Sequence, residues 1–120
     1  MKKRILLIEQ DALAALWEEV VLTEAGYEVA CATGTLDRVR SLVVGARADA
    51  AVLEAHLYGE PTTDLAIILR AKKVPFAFAS SHGAGLRGRL PPALQDVRIL
   101  ARPCNGAQFL ATVRALTGAT

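Results

Sequence analysis

Glu54 ends the short apolar run Ala50-Ala51-Val52-Leu53, and it is one of four places where such a run stops at a reactive or charged group. Glu9-Gln10-Asp11 follows Ile5-Leu6-Leu7-Ile8, Ser80 follows Phe76-Ala77-Phe78-Ala79, and Arg102 follows residues 97–101. Carboxylates are hard oxygen donors for Mg²⁺, a hydroxyl can hydrogen-bond an anionic oxygen, and a fixed cation can neutralise one. Together these groups suit divalent-metal and phosphoryl chemistry. Each alone reads as an ordinary polar strand end. Four in matching places favour a shared site.

The elements that would position them follow from periodicity. Apolar runs over 3–8, 27–32, 50–54, 75–80 and 97–101 predict five strands. Between them, Asp11 has the position of an N-cap for a helix with Leu13, Leu16, Trp17, Val20 and Glu24 at helical spacing, ending before Gly26. Leu36, Val39, Leu42 and Val43 predict a second helix. Leu65, Ile68, Leu69 and Arg70 predict a third, capped by Thr63 or Asp64. Asn105 with Gln108 forms a capping box for a last helix carrying Phe109, Leu110, Val113 and Leu116. The stretch 81–92 holds Gly83, Gly85 and Gly88, each costing ~1 kcal/mol of helix stability relative to Ala, so a loop or frayed turn is expected. Alternating strands and helices imply an α/β fold over a single domain, 1–120, with one five-stranded parallel sheet. The flavodoxin-like order 2-1-3-4-5, with an irregular or shortened fourth helix, brings Glu9, Glu54, Ser80 and Arg102 to one carboxyl edge.

Composition narrows the function classes. Hydrophobic residues make up 52% of 120, enough for a core without disulfides or a structural metal. The net charge of +2 is dispersed, and Met1-Lys2-Lys3-Arg4 reads as a solubilising flank, so no nucleic-acid partner is expected. No apolar run approaches the ~20 residues that span a bilayer, and the first run meets Glu9 and Asp11 too soon for a signal peptide. Cys31 and Cys104 read as reduced thiols. A cytoplasmic protein with no membrane partner is expected.

Over nearly its whole length the chain resembles the receiver domain of two-component response regulators. Ile5-Leu6-Leu7-Ile8-Glu9-Gln10-Asp11 resembles the acidic opening motif, and Gly26-Tyr27-Glu28-Val29 the entry of the second strand. Asp49 to Glu54 resembles the phosphoacceptor strand, Ser80 the switch hydroxyl, and Arg102-Pro103 the usual Lys-Pro, with Pro103 a cis-proline candidate. A narrower resemblance, through Val74 to Gly83 and Leu57-Tyr58-Gly59-Glu60, is to the stand-alone "FAT GUY" receivers, which lack an output domain and have an altered fourth helix.

In such receivers, the resemblance implies, the acidic pair and an acceptor Asp hold Mg²⁺ while a phosphohistidine donates its phosphoryl group. This chain departs at several positions. Gln10 removes a negative charge from the acidic pair, leaving a weak or absent metal site at Glu9, Gln10, Glu54 and the backbone of His56. Glu54 replaces the acceptor Asp; its extra methylene moves the carboxylate by roughly 1.5 Å, a misplacement that can cost about a hundredfold in rate. Arg102 replaces Lys with a planar fork suited to carboxylates, so a standing Glu54–Arg102 ion pair is expected. Ile99 stands where many receivers carry an aromatic switch residue. Asp11 reads as a cap more than a ligand, His56 as exposed, His82 as a loop residue and Trp17 as core.

The leading expectation is a pseudo-receiver: a non-enzymatic, phosphorylation-independent signalling module without cofactor, monomeric or weakly dimeric, whose partner is a sensor histidine kinase or another signalling protein. The alternative is a genuine but atypical Mg²⁺-dependent phosphoacceptor. A small nucleotide- or flavin-binding domain ranks third, since no Gly-rich phosphate cradle follows the first strand.

Overall fold

The computed structural model describes residues 2–118. Five strands, β1 (Arg4–Ile8), β2 (Glu28–Ala32), β3 (Ala50–Glu54), β6 (Phe76–Ser80) and β7 (Arg98–Ala101), form one sheet in the order β2-β1-β3-β6-β7, every neighbour parallel. This is the expected flavodoxin-like order. The two-residue strands β4 (His56–Leu57) and β5 (Glu60–Pro61) form a separate hairpin just past β3. Its turn residues Tyr58 and Gly59 have φ of 50° and 82°, the left-handed geometry that two-residue hairpins require.

Side chains alternate across the sheet and build two apolar layers. Leu6, Ile8, Leu53, Phe76 and Phe78 face helices α2 (Leu36–Gly45), α3 (Thr63–Ala71) and α4 (Gly83–Arg87). Ile5, Leu7, Val52 and Leu100 face α1 (Ala12–Glu24) and α5 (Gly106–Thr117), through Leu22, Phe109 and Val113. Burying each such large side chain stabilises the fold by about 1.5–3 kcal/mol. The glycine-rich stretch is broken as expected: α4 has five residues, and a 3₁₀ turn at Pro92–Leu94 completes the connection. Among the described residues, no helix is long and apolar enough to cross a membrane.

Local signals hold where cap chemistry set them. Asp11 Oδ1 accepts the N–H groups of Leu13 and Ala14 at the start of α1. At its end Gly26, with φ 95°, lets its own N–H reach Thr23 and that of Tyr27 reach Leu22, a Schellman closure. Both bonds of the Asn105–Gln108 capping box open α5. The third helix differs: neither Thr63 nor Asp64 caps it, and α3 begins directly after Thr62, which makes no side-chain cap.

The predicted inward face of α1 is reversed. Leu13, Leu16, Trp17 and Val20 are 78%, 58%, 40% and 46% exposed, while Ala15, Glu18 and Leu22 are buried. The helix is apolar nearly all round, so spacing alone cannot choose its inner face. Docking of Leu22 beside Phe109 and Val113 makes that choice. Trp17 lies at the α1–α5 seam, its ring centroid 5.9 Å from that of Phe109. It is therefore part packed, part open, and not a core residue.

Candidate functional site

The carboxyl ends of β1, β3, β6 and β7 bring Glu9, Glu54, Ser80 and Arg102 around one open cleft of about 490 Å³, which Gln10, Asp11, His56, His82 and Arg89 also line. A larger groove of about 600 Å³ lies at the opposite edge of the sheet, by Val74, Phe76 and Val97. Its Arg70 and Arg87 are spent on the carbonyls of Ala93, Gln95 and Val97, so it gathers no comparable chemistry.

Arg102 is at the centre of the cleft. It follows β7 directly, its backbone N–H bonds Ser80 O at 2.9 Å, and its peptide bond to Pro103 is cis. Nη2 is 3.1 Å from Glu9 Oε2 and 2.5 Å from Glu18 Oε2. Nε is 3.1 Å from Glu54 Oε1. That last contact meets an ion-pair distance but is out of line for a hydrogen bond, and among the described residues Nε has no hydrogen-bond partner. The expected Glu54–Arg102 pair is thus the weakest limb of a larger arrangement, whose hydrogen bonds go to Glu9 and Glu18.

Three carboxyls around one guanidinium cannot all be ionised cheaply. Burial is the main cause pushing the Glu54 carboxyl up to about 8; Arg102 opposes it, while Glu9, through its charge and a hydrogen bond, and Glu18 add to the rise. Glu18 is raised too, by burial first, against the hydrogen bond and charge of Arg102. For Arg102, burial pulls the guanidinium down, but Glu18, Glu54 and Glu9 outweigh it and hold it above its ordinary value. At neutral pH Glu54 is therefore mostly protonated and neutral.

The remaining positions are committed locally. Glu9 Oε1 accepts the Asp11 N–H at 3.0 Å, so both of its oxygens have donors. Gln10 Oε1 accepts the Tyr58 N–H at 2.5 Å and anchors the strained turn of the β4–β5 hairpin. Ser80 Oγ accepts the His82 N–H at 3.0 Å, closing the turn after β6 in place of reaching an anionic oxygen of the cleft. His56 is exposed, as expected, and so is His82. Ile99 is partly buried beside Gly83 of α4, and both cysteines are free thiols.

The resemblance to receiver domains implies Mg²⁺ at this edge, and the donor set does not fit it. Gln10 turns its carbonyl oxygen away to a backbone N–H, both Glu9 oxygens face donors, and Glu54 Oε1 stands 3.1 Å from Arg102 Nε. A hard divalent cation needs anionic oxygens free to converge. Here they converge on a guanidinium.

Two residues of the site are not singled out by sequence spacing. Glu18, 1% exposed, continues the buried stripe of α1 between Ala15 and Leu22. An acid on an apolar helix stripe is the signal that could have found it, had the stripe been assigned to the right face. Thr62 is fully buried, and its hydroxyl lies 2.6 Å from Glu54 O and 3.1 Å from Ala55 O, tying the loop after β3 back to the strand end.

No protein-family model matches the chain, and neither does any curated protein. Solved structures do. A CheY-like receiver domain protein from Methanospirillum hungatei superposes with TM-score 0.84 at 15% identity, covering 98% of this chain and 95% of the other. A response regulator receiver protein from Sinorhizobium medicae gives 0.81 at 26% identity, covering 98% and 96%. The receiver domain of a sensor histidine kinase from Pseudomonas aeruginosa, whose active-site cleft coordinates magnesium, gives 0.81 at 18% identity, covering 99% and 100%. The fold of this chain is that of the CheY-like response-regulator receiver domains.

Proposed function

We propose that the chain is a receiver-type signalling module that works without a phosphoryl group or Mg²⁺, by contact with a sensor histidine kinase or another signalling protein. The observation that carries this is Arg102, which bonds Glu9 and Glu18 and approaches Glu54 where a receiver would gather metal and phosphate. A carboxyl that is protonated at neutral pH is a poor nucleophile toward a phosphoryl donor, since its lone pairs are less available and its proton must first leave. Glu54 at the acceptor position, Glu9, Gln10 and Asp11 beside it, Ser80 at the hydroxyl position and Arg102 at the cation position then act as a fixed polar network. It sets the shape of the surrounding loops and performs no turnover. Agreement of the short α4 and the Tyr58-Gly59 turn with the pattern of the "FAT GUY" receivers supports placing the chain near that subgroup.

Incubation with a small phosphodonor and Mg²⁺, read by intact mass, tests this. The expected result is no adduct. A stable gain of about 80 Da that disappears in Glu54→Gln would overturn the proposal and establish the atypical phosphoacceptor instead.

A further inference from the structure

Glu18 is the most enclosed carboxyl of the cluster and makes its shortest contact, 2.5 Å to Arg102 Nη2. It alone among the three carboxyls comes from a helix; the two partners stand 84 positions apart in the chain. We propose that Glu18 is the positioning residue that makes Arg102 the resident cation of this site, so that the guanidinium and a divalent cation exclude one another there. This deepens the metal-free reading above and rests on it.

A carboxylate 1% exposed has no water to turn to, so it must keep a cation or take a proton. Arg102 supplies that cation, and the same Nη2 that meets Glu18 also meets Glu9. A divalent ion entering between Glu9 and Glu54 would face the guanidinium at contact range. It could enter only by displacing Arg102, which would strand Glu18 without its partner. The obstacle to metal is therefore on α1, more than in the longer side chain of Glu54 or the lost charge at Gln10.

Mg²⁺ titration of the full chain by calorimetry, with the fluorescence of the single Trp17 as a second readout of α1, tests this. Wild type is expected to show no saturable response at millimolar Mg²⁺. Glu18→Leu, which extends the apolar stripe of Ala15 and Leu22, is expected to gain at least roughly tenfold in Mg²⁺ affinity, the size of one lost charged hydrogen bond. Glu18→Asp keeps the charge and is expected to behave as wild type. If Glu18→Leu does not fold, the isosteric Glu18→Gln carries the same expectation. A purely structural role would lower the melting temperature of the variants and leave Mg²⁺ binding unchanged. That result, or wild type binding Mg²⁺ as tightly as Glu18→Leu, or an equal gain in Glu18→Asp, overturns the proposal. Loss of the Glu18 claim leaves the phosphodonor test standing on its own, because that test reads adduct formation at Glu54.

Discussion

Replacing Glu54 by Gln should remove most of the pH dependence of stability. The folded chain keeps the Glu54 proton up to about pH 8, whereas an unfolded glutamate releases it near 4.5. Between those values the native state binds more protons than the unfolded state, so stability falls as pH rises. The stabilising effect is complete below about pH 4.5 and gone above about pH 8. An interval of that width corresponds to at most about 5 kcal/mol at about 1.4 kcal/mol per pH unit. The Glu54 side chain is 15% exposed. Solvent reaching it, together with realignment of Arg102 toward the ionised form, brings the expected loss to about 2–3 kcal/mol between about pH 5 and pH 9. Glutamine has nearly the shape of the protonated acid and cannot ionise, so the variant should match wild type near pH 5 and exceed it near pH 9 by that amount. Urea unfolding followed by Trp17 fluorescence measures both curves. Wild-type stability that is flat or rising over this range, or a Gln variant with the wild-type slope, would refute the protonated Glu54. The raised Glu18 carboxyl has the same sign and should leave a smaller residual slope in Glu54→Gln.

Arg102→Met should destabilise the fold by about 3–5 kcal/mol, because it leaves Glu9 and Glu18 buried without a cation. Thermal melts of Arg102→Met against the double variant with Glu18→Leu check this, and the double variant is expected to be the more stable of the two. Lys72→Met removes an ammonium that bonds the carbonyls of Val43, Val44 and Ala46 at 2.9, 2.9 and 2.5 Å at the end of α2. A cost of about 1–3 kcal/mol is expected, with faster amide exchange in the last turn of α2 and little change at the Arg102 cluster.

What could be read from sequence was whatever a few neighbouring residues decide among themselves. Asp11, Gly26 and the Asn105–Gln108 box act over two to four positions, so their chemistry is visible without a fold. Alternating strands and helices likewise imply a parallel sheet, and the sheet places Glu9, Glu54, Ser80 and Arg102 at one edge whatever their side chains then do. The partners of those side chains were not legible. Ser80 could bond across to Glu54 or forward to His82, and Gln10 could face a metal or Tyr58; only the path of each loop decided. The inner face of α1 was undetermined for a related reason. Either stripe of a helix apolar all round can be buried, and the choice depends on what Phe109 and Val113 offer from the far end of the chain.

Periodicity along the chain sets the sheet, its carboxyl edge and the four polar positions on that edge. Only the packing of distant elements brings Glu18 to join them from α1, sets Arg102 among three carboxyls in place of one, and buries Glu54 enough to push its carboxyl upward. Propensity and spacing are local, whereas the energy of a charge depends on every other charge and on the water excluded around it. Glu18 becomes a site residue only once the helix that carries it is laid against Arg102.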